Sequence, residues 1–242
     1  MSVLYEVDAP IARLTINRPE AANSVTVDMA LEIARSIRAF ADEDEARVLV
    51  VTGSGERAFC AGGAIETLDV CADHEEARRS GPLGFARQAP GKPTIAAVNG
   101  YCFGGGLELA LWCDIRIAAE NASFGALNRP WGVPLIDGGT QRLPAIVGRG
   151  NALWMILGGH RVDAARALQL GLAQEVVPQG QALERALELA ETIASYPQAG
   201  LLADRAGVLS ASPAPTDAGL RRELERGYPV LSDPDVAQRI RR

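Results

Sequence analysis

The stretch "KPTIAAVNGYCFGGGLELALWCDIRIAAENASFG", residues 92–125, decides the fold. Through Gly100 it is an apolar run of strand length, as expected of a buried strand. Gly104–Gly106 then open into a second apolar run with the look of a helix, and short strands are expected near 115–118 and 122–124. A strand that ends in glycines and opens into a helix leaves backbone N–H groups unbonded at the helix start. The helix dipole adds partial positive charge there. Such a place holds an anion, or an oxygen that becomes anionic during a reaction. A tight strand-to-helix turn with close packing explains the same glycines. Glu108 also has two readings. It is a dipole partner in the first helical turn. Alternatively, set among Leu107, Leu109, Ala110 and Leu111, it is a carboxylate whose apolar surroundings suit general acid/base work.

Outward from this stretch the order is strand, loop, helix. Upstream, Val3, Tyr5 and Val7, then Ile11, Leu14 and Ile16, alternate as a β-hairpin. Thr26 caps a helix whose buried face carries Ala30, Ile33, Ala34, Ile37 and Ala41. "ARVLVVTG" (46–53) reads as a buried strand, "SGERAFCAGGAIETL" (54–68) as a glycine-containing loop, and 73–89 as a polar helix. Downstream, a Pro- and Gly-rich loop covers 128–139, and helical patterns dominate from 140. Asp163 caps one helix. "QEVVP" is a short strand, and "QALERALELAETIASYP" is amphipathic. The class is α/β, with a core over residues 1–190 and a helical region over 191–242.

Composition removes several function classes. The chain has 242 residues and a formal charge of −6, which argues against general nucleic-acid binding. Cys60, Cys71, Cys102 and Cys113 form no C-x-x-C pair, and only His74 and His160 could join them, so no metal site is expected. "MSVLYEVDAP" carries acids within its short apolar part and does not read as a signal peptide. No apolar run is long and uninterrupted enough for a membrane span, and a cytoplasmic location is expected. The chain lacks G-x-x-x-x-G-K-[ST] and G-x-S-x-G, and "GYCFGGG" does not fit G-x-G-x-x-G.

"AFCAGGAIETL" (58–68), the opening stretch and "GVPLIDGGTQRLPAIVG" (132–148) together resemble the enoyl-CoA hydratase/isomerase, or crotonase, family. "INRPEAANSV" and "DAARALQLGLAQEVVP" fit the same pattern. The resemblance implies a spiral of ββα units with a C-terminal helical trimerisation region, giving trimers or hexamers. It implies an acyl-CoA thioester as substrate, with coenzyme A carried by the substrate and no other cofactor. The backbone N–H groups of Gly63 and Gly105 would hold the thioester oxygen. Ala61, Gly63, Ala64, Ile65, Gly104 and Gly105 would contact the substrate, and Glu108 would move protons. Trp131 flanks the 128–139 loop and has two readings, a wall of the acyl pocket or a surface or packing residue.

The sequence departs from that pattern at one point. Hydratases of the family use a second glutamate three residues beyond "SFG", and Asn128 stands there. An amide orients a water or a carbonyl but does not take a proton as a carboxylate does. Asp137 is the nearest substitute, one position later than the catalytic aspartate of some relatives. A turn-forming Asp before Gly138 is its plainer reading. Three activities follow. The first is an enoyl-CoA hydratase or isomerase. The second is a decarboxylase, dehalogenase or thioester hydrolase using Asp137. The third is an acyl-CoA-binding protein without turnover. Cys60 and Cys102 flank the glycine loops and read as small buried filler.

Overall fold

A computed structural model describes residues 1–65, 74–196, 198–210, 217 and 221. The predicted hairpin forms as β1 (Val3–Asp8) and β2 (Ile11–Ile16), paired antiparallel. Thr26 caps α1 (Val27–Asp42) by accepting the Met29 amide. Beyond α1 the chain alternates between two sheets. A long strand enters the first sheet, and a short one follows in the second. The pairs are β3 (Val48–Gly53) with β4 (Ala58–Cys60), β5 (Thr94–Val98) with β6 (Tyr101–Phe103), and β7 (Ile115–Ala119) with β8 (Ser123–Gly125). The first sheet has the order β1-β2-β3-β5-β7-β10, where β10 is Glu175–Val177. The second has the order β4-β6-β8-β9, where β9 is Arg161–Asp163. This winding is the expected spiral of ββα units.

β3 and β5 are buried along their whole length because both faces are covered. Their side chains alternate between two apolar layers. Leu49, Val51, Ala96 and Val98 enter the larger core, with Phe40, Phe59 and Phe124. Val48, Val50, Ile95 and Ala97 enter the smaller one. That smaller layer is closed by α7 (Ala182–Ser195), which follows the short α6 (Ala164–Gln169) in the chain and whose Ala182, Ala186, Ala190 and Ala194 recur every fourth residue and let the helix lie close on the sheet. The helix runs through residue 190, where the sequence reading ends the core. α8 (Gln198–Ser210) follows, and its Arg205 pairs with Asp114 at 2.8 Å. The later part of the 191–242 region falls largely outside the described residues. No helix among those described is long and apolar enough to cross a membrane.

Two local expectations change. The polar helix expected over 73–89 is only α2 (Glu75–Ser80), because Gly81 and Pro82 stop it and turn the chain toward the interior. The loop expected over 54–68 contains β4, which pairs parallel with β6 and sets Cys60 opposite Cys102. β6 turns directly into α3 (Gly105–Trp112). Arg116, on β7, is buried and donates to the carbonyls of Ala110 and Cys113 at the end of α3 and to that of Leu172. A buried cation there satisfies the carbonyls a helix end leaves unpaired and complements its dipole. It fixes α3, and therefore Glu108, against the sheet.

Candidate active site

Strands β4 and β6 end side by side, so the loops after them meet backbone to backbone. Gly62 has φ +101°, and a Cβ there would come within 2.9 Å of the Gly105 nitrogen. A Cβ on Gly106 would sit 1.9 Å from the Cys60 carbonyl oxygen. Side chains are excluded because the two loops occupy each other's space. Gly63 is held beside Val25. Val25 donates to the Gly62 carbonyl, and the Ala64 amide donates to the Val25 carbonyl, both at 2.8 Å. The Gly63 amide takes no part in this bridge. Gly105 is the first residue of α3, so its amide has no intrahelical acceptor. Neither amide donates a hydrogen bond to another described residue.

A cavity of about 220 Å³ opens at this junction. Of the residues expected to contact substrate, Ala61, Gly63, Ile65, Gly104, Gly105 and Trp131 line it. Ala64 does not line it, because its side chain is buried beneath the loop and its amide is committed to Val25. Glu108, Asn128 and Asp137 all line the same cavity. Trp131, 41% exposed, lies in a 3-10 turn at Arg129–Trp131.

Glu108 is 3% exposed. Its Oε1 accepts the amides of Asp137 at 2.9 Å and Gly139 at 2.8 Å. These amides lie at the start of α4 (Gly139–Val147), so that helix's positive end faces the carboxylate. Two N–H donors fix the plane of the side chain. Asp137 is 2% exposed, and its Oδ1 accepts the Leu83 amide at 3.2 Å. Arg142 holds the same loop by donating to the carbonyls of Asp137 and Ala86 at 2.8 and 2.7 Å. The Asn128 Nδ2 donates to the Val133 carbonyl, closing the 3-10 turn.

The chain matches the model of the enoyl-CoA hydratase/isomerase family over residues 6–210. The protein belongs to that family. Within it, the chain is 36% identical over 236 residues to the crotonyl-CoA hydratase of Syntrophomonas wolfei, covering 96% of this chain and 87% of that one. It is 38% identical over 198 residues to the short-chain-enoyl-CoA hydratase of Clostridium acetobutylicum, covering 80% and 76%. The solved carnitinyl-CoA hydratase of Mycobacterium avium superposes with a TM-score of 0.90 at 32% identity, covering 98% and 92%.

Sequence reasoning missed part of the family cavity. Pro82 and Leu83 form one wall, and the Gly-Pro pair in "SGPLGFA" was the available signal that a turn, and not a helix, passes there. Arg142 carried no such signal, since a lone arginine in a helical pattern reads as a solvated side chain.

The two loop cysteines are buried. Cys60 Sγ accepts the Gly62 amide at 3.3 Å, and burial pushes its pKa up to about 12. Cys102 Sγ donates to the Gly106 carbonyl at 3.3 Å, and burial holds it well above the ordinary thiol range. Both are protonated thiols and therefore poor nucleophiles. Each ties a glycine loop to the strand that precedes it.

Proposed function

We propose that this protein is an acyl-CoA enzyme that stabilises the enolate of a thioester, acting as an enoyl-CoA hydratase or enoyl-CoA isomerase. The observation that carries this reading is the meeting of two amides without an acceptor among the described residues, Gly63 and Gly105, with Glu108 in one cavity. A thioester oxygen bound between the amides gains charge as a proton leaves the α carbon, or as water adds at the β carbon. Backbone donors aimed at that oxygen stabilise the developing charge by about 3 kcal/mol each. Glu108 accepts or returns the proton. Coenzyme A carried by the substrate is the only further group the chemistry requires.

The test is direct. Purified protein is given crotonyl-CoA, longer 2-enoyl-CoA and 3-enoyl-CoA thioesters, and the absorbance of the conjugated enoyl thioester is followed. Loss of that absorbance marks hydration, and its appearance marks isomerisation. No turnover of any of them by wild-type protein would overturn the proposal.

A second reading rests on Asp137, which lines the same cavity. A decarboxylase, dehalogenase or thioester hydrolase working through it would lose activity in Asp137→Asn and keep it in Glu108→Gln. The proposal also places the enzyme in the cytoplasm as a trimer or a pair of trimers. Leu153, Trp154 and Leu157 support a subunit contact, since Leu157 is 73% exposed on α5 (Arg149–Gly158). Sedimentation velocity decides between monomer and trimer.

A further inference from the structure

We propose that Asp137 is a positioning residue that acts through Leu83 on the two amide donors. Its carboxylate fixes the turn that presses Leu83 against the meeting point of Gly63 and Gly105, and the donors keep their places because that side chain is there. This rests on the acyl-thioester reading above and adds to it a residue whose task needs no contact with substrate.

The turn is Gly81-Pro82-Leu83-Gly84, closed by the Gly84 amide on the Gly81 carbonyl at 2.9 Å. It lies so close on α1 that a Cβ at Gly84 would stand 2.0 Å from the Ala30 carbonyl oxygen. The third residue of such a turn gets no partner for its amide from the turn itself. The Leu83 amide donates to the Asp137 Oδ1 at 3.2 Å and to no other acceptor among the described residues. Gly81, at φ +97°, admits the carboxylate, since a Cβ there would come within 2.8 Å of that same oxygen. Leu83 and Asp137 are both buried, so water does not replace the carboxylate when it is removed.

The Leu83 side chain ends at the donors. The point where a Gly105 Cβ would stand lies 2.3 Å from the Leu83 Cδ1, 3.4 Å from the Gly62 Cα and 3.5 Å from the Gly63 nitrogen. One methyl group therefore fills the corner that Gly105 leaves open, and it does so beside the other donor. In a close-packed interior such a contact transmits displacement: when the methyl withdraws, the backbone it rests on is no longer held. Donors that stabilise a developing charge must already stand where the oxygen will need them. The bond to Leu83 thus gives Asp137 a task that requires an acceptor oxygen and no proton transfer.

The experiment compares Asp137→Ala, Asp137→Asn, Leu83→Ala and the double variant Asp137→Ala/Leu83→Ala with wild type. Two readouts are taken: steady-state turnover of the enoyl-CoA thioester that wild type uses best, and the infrared carbonyl stretch of bound butyryl-CoA labelled with carbon-13 at the thioester carbon. Asp137→Ala and Leu83→Ala should each lower kcat about tenfold, a fraction of the loss expected for removing a donor, and change KM less than about twofold. The double variant should fall no further than either single one, because both remove the same support. Asp137→Asn keeps an acceptor and should recover most of what Asp137→Ala loses. The bound carbonyl stretch should move toward its position in free butyryl-CoA in both single alanine variants and stay near the wild-type position in Asp137→Asn. If Asp137→Ala does not fold, Leu83→Ala and Asp137→Asn carry the same test. An Asp137→Asn variant as slow as Asp137→Ala, or a Leu83→Ala variant with wild-type kcat and carbonyl stretch, overturns the positioning role alone. Wild-type protein that neither turns over an enoyl-CoA thioester nor binds butyryl-CoA overturns the acyl-thioester reading and this inference with it.

Discussion

The two halves of the cavity are built on opposite principles. The half made by Gly62, Gly63, Gly104 and Gly105 works through backbone, and its side chains matter by being absent. The half made by residues 127–139 works through side chains held by a loop: Asn128 through Val133, and Asp137 through Leu83. Glu108 bridges them. It sits on the helix that begins at Gly105, yet its Oε1 is held by the amides of Asp137 and Gly139. The difference separates two tasks. On the proposed reading the glycine half serves any thioester carbonyl, since it meets only an oxygen. On the same reading the loop half meets the carbons beyond. Substitutions in the first half should change the rate for every substrate by a similar factor. Those in the second, Asp137 apart, should change the ratio between substrates.

The largest effect belongs to the residue that joins the halves. Glu108→Gln is expected to lower kcat by about 10²–10⁴-fold, the usual range for a proton-transfer group. The melting temperature should change little, because glutamine keeps an oxygen for the Asp137 and Gly139 amides. A fall in kcat of less than about tenfold would assign the proton transfer elsewhere, with Asp137 the first place to look. Gly62→Ala comes next. Its methyl would crowd the Gly105 nitrogen at 2.9 Å and strain a φ of +101°. The oxyanion donors should separate, lowering kcat by about 10²–10³-fold. The loss should be nearly equal for short and long acyl thioesters. A loss confined to one chain length would mean that the glycine half also selects.

The two halves also differed in how far they could be read from sequence. The glycine half was legible because its constraint is local. A strand, a glycine run and a helix start are adjacent in the chain, and the resemblance named Gly63 and Gly105 directly. Glu108 was legible for the same reason, being the one acid in an apolar run. The loop half was not, because its meaning comes from contacts across the chain. That Asp137 would accept from Leu83, 54 residues away, had no mark in the sequence. Nor did the commitment of the Asn128 Nδ2 to Val133. β4 reads as loop in the sequence because three residues are too few for a strand period to show. Its pairing with β6 supplies the order that its own length does not.

The smallest effects lie beneath the glycine half, where the cysteines sharpen the comparison. Cys60 Sγ holds the Gly62 amide at 3.3 Å, one residue before the Gly63 donor. Losing one such bond costs about 1 kcal/mol, so Cys60→Ala should lower kcat about fivefold for all substrates. Cys60→Ser keeps an acceptor and should recover most of that. Burial without an acceptor would predict the reverse, since serine is the costlier replacement for a merely packed thiol. The same thiol gives a pH signature. Its folded pKa, about 12, lies above that of an ordinary exposed thiol. A raised pKa means that the folded state favours the protonated thiol. The associated stability is present in full below pH 9 and is lost as pH climbs through the folded value. Thermal melts from pH 8 to 11 should therefore show a falling melting temperature above pH 9, and Cys60→Ala should fall less steeply than wild type. Parallel slopes in the two proteins would mean that Cys60 does not contribute to this alkaline loss.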